Sequence, residues 1–152
     1  MNAAYEAKDG YLYVKVTGEF NLIRARSLLS EWMEKTRTHS LHLTLCDVTL
    51  LTGVDNETMS ILTRFTISNL VARMLPKDFR MAVLVTPQQF RDALFGQDLM
   101  INKGANVKLA YDLGRALKWL DVTPAGKSDE LTDKARNRKT KNMPDHSDRD
   151  DG

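Results

Sequence analysis

Hydrophobic and polar residues change rhythm several times along the chain, and each change marks an element. Tyr5-Glu6-Ala7 and the run from Tyr11 to Thr17 flank Asp9-Gly10, two residues that tolerate positive φ and favour a hairpin turn. Leu12, Val14 and Val16 alternate with Tyr13, Lys15 and Thr17, so one face of the second strand is expected to be buried, and Gly18 to end it. From Leu22 to Arg37 the period becomes helical. Leu22, Ala25, Leu29, Trp32, Met33 and Thr36 share a face, and Asn21 is the N-cap. Leu41 to Cys46 alternates again, Leu41, Leu43 and Leu45 against His42, Thr44 and Cys46. A loop from Asp47 is expected next, and then Asp55 capping a long helix that ends near Leu75, before Pro76.

The run Met81-Ala82-Val83-Leu84-Val85, within a strand from Phe79 to Val85, is apolar on both faces. That pattern predicts a central strand covered by helices on both sides. Thr86-Pro87-Gln88-Gln89 supplies an N-cap, an N1 proline and a capping-box glutamine. The helix that follows places Phe90, Leu94, Gln97 and Ile101 on one side with Ala93 and Met100 beside them, and Gly104 ends it. Val107 to Tyr111 reads as a short strand, and Asp112 caps a last helix with Leu113, Ala116, Leu117 and Leu120 inward. The order β-β-α-β-α-β-α-β-α implies an α/β fold with a mixed, mostly parallel sheet and packed helices.

Composition divides the chain at Val122. All eleven aromatic residues precede it, whereas the last 30 residues hold four hydrophobic side chains (Ala125, Leu131, Ala135 and Met143) and seven charges of each sign. An α/β domain over 1–122 and a charged, disordered tail over 123–152 are expected, because the tail has too little apolar surface to offset its backbone entropy. The tail's signs are segregated: Lys134, Arg136, Arg138, Lys139 and Lys141 precede Asp145, Asp148, Asp150 and Asp151. With no aromatic interleaved for base stacking, the basic block Lys134 to Lys141 reads as solubilising, and nucleic acid is not an expected partner. A net charge of +2 over 152 residues agrees. The single cysteine, the absence of a bilayer-length apolar run and a first six residues unlike a signal peptide point to a cytoplasmic location.

Catalytic chemistry finds little support. Cys46 and His42 share a strand face but stand about 13 Å apart by strand rise, too far for a thiol and its base, so Cys46 reads as a buried structural thiol. His39 and His42 with Asp47 lack metal-ligand spacing, and no phosphate loop, nucleophile elbow or zincin motif occurs. No enzyme activity, cofactor or metal is expected.

At this point the sequence resembles the STAS domain, the fold of anti-sigma-factor antagonists and of the cytoplasmic ends of sulfate transporters, over roughly residues 3 to 121. The resemblance rests on the element order, the Asp9-Gly10 hairpin, and the strand Leu43-Thr44-Leu45-Cys46 running into Asp47-Val48-Thr49, with Asp55 eight residues after Asp47. The closing stretch, from Val107 through Asp112 to Ala116-Leu117-Lys118-Trp119-Leu120, is similar to the STAS/SEC14 branch. The resemblance implies a regulatory protein-interaction module that meets its partner through the Asp47–Thr58 loop and the start of the next helix. It points to Asp47, Thr49, Asp55, Asn56, Glu57, Thr58 and Met59. In the antagonists a serine directly after the second Asp is phosphorylated; here Asn56 stands there, and an amide accepts no phosphate. Thr49, Thr58 and Ser60 are the neighbouring candidate acceptors. The helix beginning at Asn56 also carries Met59, Ile61, Leu62, Phe65, Ile67, Leu70, Val71 and Met74 around much of its girth, so that more than the sheet must cover it: neighbouring helices, a partner protein or a second copy. The alternative is a carrier or sensor of a small apolar, lipid-like ligand, with Met59, Phe65, Met74, Phe90, Phe95 and Met100 lining a cavity.

Overall fold

The hairpin expected at Asp9-Gly10 forms, with a tighter division of labour than the dipeptide suggests. The structure, a computed structural model, describes residues 1–122; the expected charged tail falls outside the described residues. Strands β1 (Asn2–Ala7) and β2 (Leu12–Glu19) pair antiparallel, and of the two turn residues only Gly10 takes a positive φ, 89°. Gly18 does not end β2 but lies within it at φ 91°, where a Cβ would come within 3.2 Å of Met1 backbone atoms. Close approach of the first residue, not strand termination, requires the glycine.

Helix α1 (Leu22–Thr38), β3 (Leu43–Thr52), α2 (Ile61–Met74), β4 (Arg80–Leu84), α3 (Pro87–Asn102), β5 (Asn106–Ala110) and α4 (Leu113–Leu120) complete the order read from the sequence. The five strands lie side by side in chain order, with every pair after the hairpin parallel. Each crossover steps the same way, so right-handed connections stack α1, α2 and α3 on one face. Leu12, Val14, Val16, Cys46, Met81 and Val107 form the sheet side of that core. Helix α4 returns over the other face, packing Ala116, Leu117 and Leu120 on Leu45, Ala82 and Ala110. No described helix is long and apolar enough to cross a membrane.

Four expectations change. Strand β3 does not stop at Cys46 but runs to Thr52, because β2 continues alongside it. Within it Thr44, on the face opposite Leu43 and Leu45, is fully buried, and its hydroxyl accepts from Trp32 Nε1 at 3.2 Å. Helix α2 starts at Ile61, five residues beyond Asn56. Helix α3 turns Gln89, Ala93, Gly96 and Met100 toward the sheet, leaving Leu94 and Ile101 exposed, as Leu113 is on α4. The reason is steric for α3: Gly96 brings it against α2, where a Cβ would lie 3.0 Å from Ser68 Oγ, and this small-residue stripe outweighs the larger apolar one.

Candidate functional site

Past Asp47, β3 loses one neighbour and keeps the other. Pairing with β4 ends at Asp47 opposite Leu84, while pairing with β2 continues to Thr52. Between Lys15–Asp47 and Thr17–Leu50 the register slips by one, so β3 carries a bulge around Val48 and Thr49. The bulge folds Thr49 back: its amide and hydroxyl donate to Asp47 Oδ1 at 2.9 and 2.6 Å, and the Tyr13 hydroxyl donates to Oδ2 at 3.0 Å. Burial alone would raise the Asp47 pKa, but these donors, with Lys15 nearby, outweigh it and hold the carboxyl below its usual range. Desolvation first, and then the adjacent Asp47, push Tyr13 up to about 12. The carbonyls of Val48 and Leu51 accept from Gln89 Nε2 at 2.9 and 3.2 Å, where β4 no longer runs alongside. Gln89 Oε1 accepts from the Thr86 amide at 2.8 Å, so one side chain both completes the capping box and closes the open edge of β3.

The second group is a single turn ahead of α2. Asp55 Oδ1 accepts from the amides of Glu57 and Thr58 at 3.1 and 2.9 Å, and the Thr58 hydroxyl lies 2.9 Å from both carboxylate oxygens. The Thr58 hydroxyl, and then its amide, hold the Asp55 pKa below the ordinary value. Asp55 therefore caps a turn and not the helix. Ser60, in extended conformation, is the N-cap of α2 and accepts from the Thr63 amide at 3.1 Å. Asn56 donates to Asp92 Oδ1 at 2.9 Å, and Arg64 donates to the carbonyls of Asp92 and Val54 at 3.0 and 2.7 Å. The turn is thus fastened to both α2 and α3.

The residues singled out from the sequence fall in three places. Asp47 and Thr49 form a half-buried group with Tyr13, on the sheet face that carries Leu45 and α4. Asn56, Glu57, Thr58 and Ser60 are exposed on and beside the turn with Asp55. Met59 is a correction. It is 7% exposed, because its amide closes the turn onto the Asp55 carbonyl and its side chain turns into the core, where no partner reaches it. Beyond the turn, Ile61 and Leu62 are about three-quarters exposed, and Phe65 is also exposed.

Behind the turn, between the sheet and α1–α3, lies a cavity of about 230 Å³ with an almost wholly apolar lining. Of the residues expected to line such a space, Met59 and Met100 do; Phe65 and Phe95 face outward. Cys46 lines it as a buried thiol pushed up to about 12 by desolvation, protonated and unreactive at neutral pH. Sequence reasoning missed Tyr13, Gln89, Arg64 and Asp92. Gln89 was legible as a capping residue, and Arg64 as the one cation among the apolar residues opening α2; nothing local pointed to Tyr13 or Asp92.

No protein-family model matches the chain, and no curated protein matches it in sequence. Among solved structures it is similar to an anti-sigma factor antagonist from Mycobacterium paratuberculosis, with TM-score 0.56 and 17% identity over 79% of this chain and 93% of that one. It is also similar to an uncharacterized DUF3478-family protein with a SpoIIAA-like fold from Shewanella loihica, with TM-score 0.50 and 19% identity over 78% of this chain and 92% of that one. The fold is that of a STAS-like domain.

Proposed function

We propose that the chain is a non-enzymatic regulatory module that binds a partner protein through the Asp55 turn and the first turns of α2. One observation carries the reading: an ordered polar turn, presenting Asn56, Glu57 and Thr58, stands directly ahead of the uncovered apolar residues Ile61, Leu62 and Phe65. Apolar side chains framed by oriented polar groups are the usual make-up of a protein-binding patch. The similarity in fold to an anti-sigma factor antagonist supports a partner of this kind. Asp47 and Thr49 act on this surface from behind, by setting the path of β3 into the turn.

The three hydroxyl acceptors are not equivalent. Thr49 and Thr58 already donate to carboxylates, so a phosphate there would stand against negative charge. Ser60 caps α2, where a phosphate would meet amide N–H groups and the positive end of the helix dipole. Ser60 is therefore the hydroxyl best placed for a charge switch on this surface.

The test is affinity capture from the native host with the wild type, Leu62→Asp, and Ile23→Asp as a control, since Ile23 is 83% exposed on α1. One partner should be lost with Leu62→Asp and kept with Ile23→Asp. A partner held equally by all three, or none held by the wild type, overturns the reading; light scattering separates self-association from a different partner.

A further inference from the structure

Arg64 is the buried charge that the fold itself does not neutralise. It is 8% exposed and lines the 230 Å³ cavity. A guanidinium taken out of water is ordinarily paired with an anion, yet none of the ion pairs among the described residues includes Arg64. Its recorded acceptors are two backbone carbonyls, Val54 and Asp92, which use two N–H groups of roughly five on a guanidinium. The remaining donors have no protein acceptor among the described residues. The rest of the lining is mostly apolar, with Met59, Met81, Ala93 and Met100 among it, and Ser68 and Gln89 are polar side chains that share it.

An apolar space beside an uncompensated cation has the two halves of a recognition site for an amphipathic anion. We propose that this cavity binds a small amphipathic carboxylate, its apolar body in the cavity and its anionic end on Arg64. Size sets the class. An apolar cavity of about 150 Å³ holds benzene, so about 230 Å³ has room for roughly nine or ten heavy atoms, a medium-chain or aromatic acid. The site is separate from the exposed interaction surface, and its occupancy does not depend on that reading.

Octanoate and 1-octanol, which share an apolar body and differ in charge, are the probes, titrated into the full chain by calorimetry. Methyl-labelled methionine NMR locates them: Met59, Met81 and Met100, together with Met1, line the cavity, whereas Met33 and Met74 border a different cleft. Octanoate is expected to shift the first three methyls, leave the other two, and bind at least about tenfold more tightly than octanol. Arg64→Met should bring octanoate to the affinity of octanol, and Ala93→Leu should weaken both by filling the space. Silence at Met59, Met81 and Met100 with either probe overturns the proposal, as does octanol binding as tightly as octanoate. Because Arg64 also ties α2 to α3, the wild-type comparison of the two probes decides the matter if Arg64→Met does not fold. Unchanged octanoate affinity in folded Ala93→Leu is equally fatal.

Discussion

The two faces of the sheet are built on different terms. Under α4 the packing is closed by small residues: Ala82 and Ala116 are fully buried and Ala110 nearly so, with Leu45, Leu117 and Leu120 filling the gaps between them. Under α1–α3 the side chains are larger and the helices more numerous, yet about 230 Å³ stays empty, and the 16-residue α3 has no fully buried side chain. On α3, Ala93 and Gly96 face this space, and Gly96 sets the helix closely against α2. The difference teaches that size of core and closeness of packing are separate properties. The α1–α3 face holds the larger core cluster yet leaves a space behind the turn before α2, whereas the smaller α4 face is closed.

The sharpest way to break that comparison is one substitution made on both faces. Ala116→Leu adds three carbons where no space exists and should cost about 1–3 kcal/mol. Ala93→Leu adds the same atoms beside the cavity and should be neutral, or stabilising by up to about 1 kcal/mol. Both positions are helical, so propensity differs little between the two changes. Urea denaturation of the pair measures the contrast; equal costs would mean that the cavity collapses or is no looser than the α4 core.

The same contrast explains what the sequence disclosed. Element order was legible because the rhythm of apolar and polar residues changed from one element to the next, and the two-sided apolarity of Met81 to Val85 correctly announced a covered interior strand. On α4, the periodicity and the Asp112 cap placed the helix as it is found. Apart from Leu113, which turns outward on α4, the helix expectations failed on the other face. Two cap-forming residues, Asp55 and Ser60, compete five positions apart, and local pattern cannot say which one a helix follows. The α3 stripe was misread because Ala93 and Gly96 gain their weight from a neighbouring helix, which no window of sequence contains. Arg64 and Asp92 meet across 28 positions, beyond any local signal.

Which of the two caps matters can be separated by mutation. Ser60→Ala removes the acceptor for the Thr63 amide at the start of α2 and should cost about 1 kcal/mol. Thr58→Ala removes a hydroxyl from an exposed turn and should cost less than about 0.5 kcal/mol. The ranking is read from urea midpoints, and its reversal would place the start of the helix at Asp55 after all. Ser60→Ala should also lower helix content by circular dichroism, which Thr58→Ala should not.

The smallest effect, and the last way to tell the faces apart, is in their response to pH. Asp47, on the α4 face, has its carboxyl held below the ordinary range in the folded chain. Folding is favoured by the ionised form, so this contribution is complete above the unfolded carboxylate pKa and is lost as pH falls through the folded one. Cys46 lines the cavity on the opposite face and is raised to about 12 by desolvation, so folding favours its neutral form. That contribution is complete below the unfolded thiol pKa and disappears as pH rises toward 12. Tyr13, raised to about 12 beside Asp47, adds to the same alkaline loss. Asp47→Asn should therefore flatten the acid limb of the stability profile by about 0.5 kcal/mol, a figure kept small because the group is partly solvated. The larger, desolvation part of the Cys46 alkaline limb should survive the substitution, and the smaller part owed to the Asp47 charge should go. An acid limb unchanged in Asp47→Asn would show that the bulge holds Thr49 and Tyr13 without help from the charge.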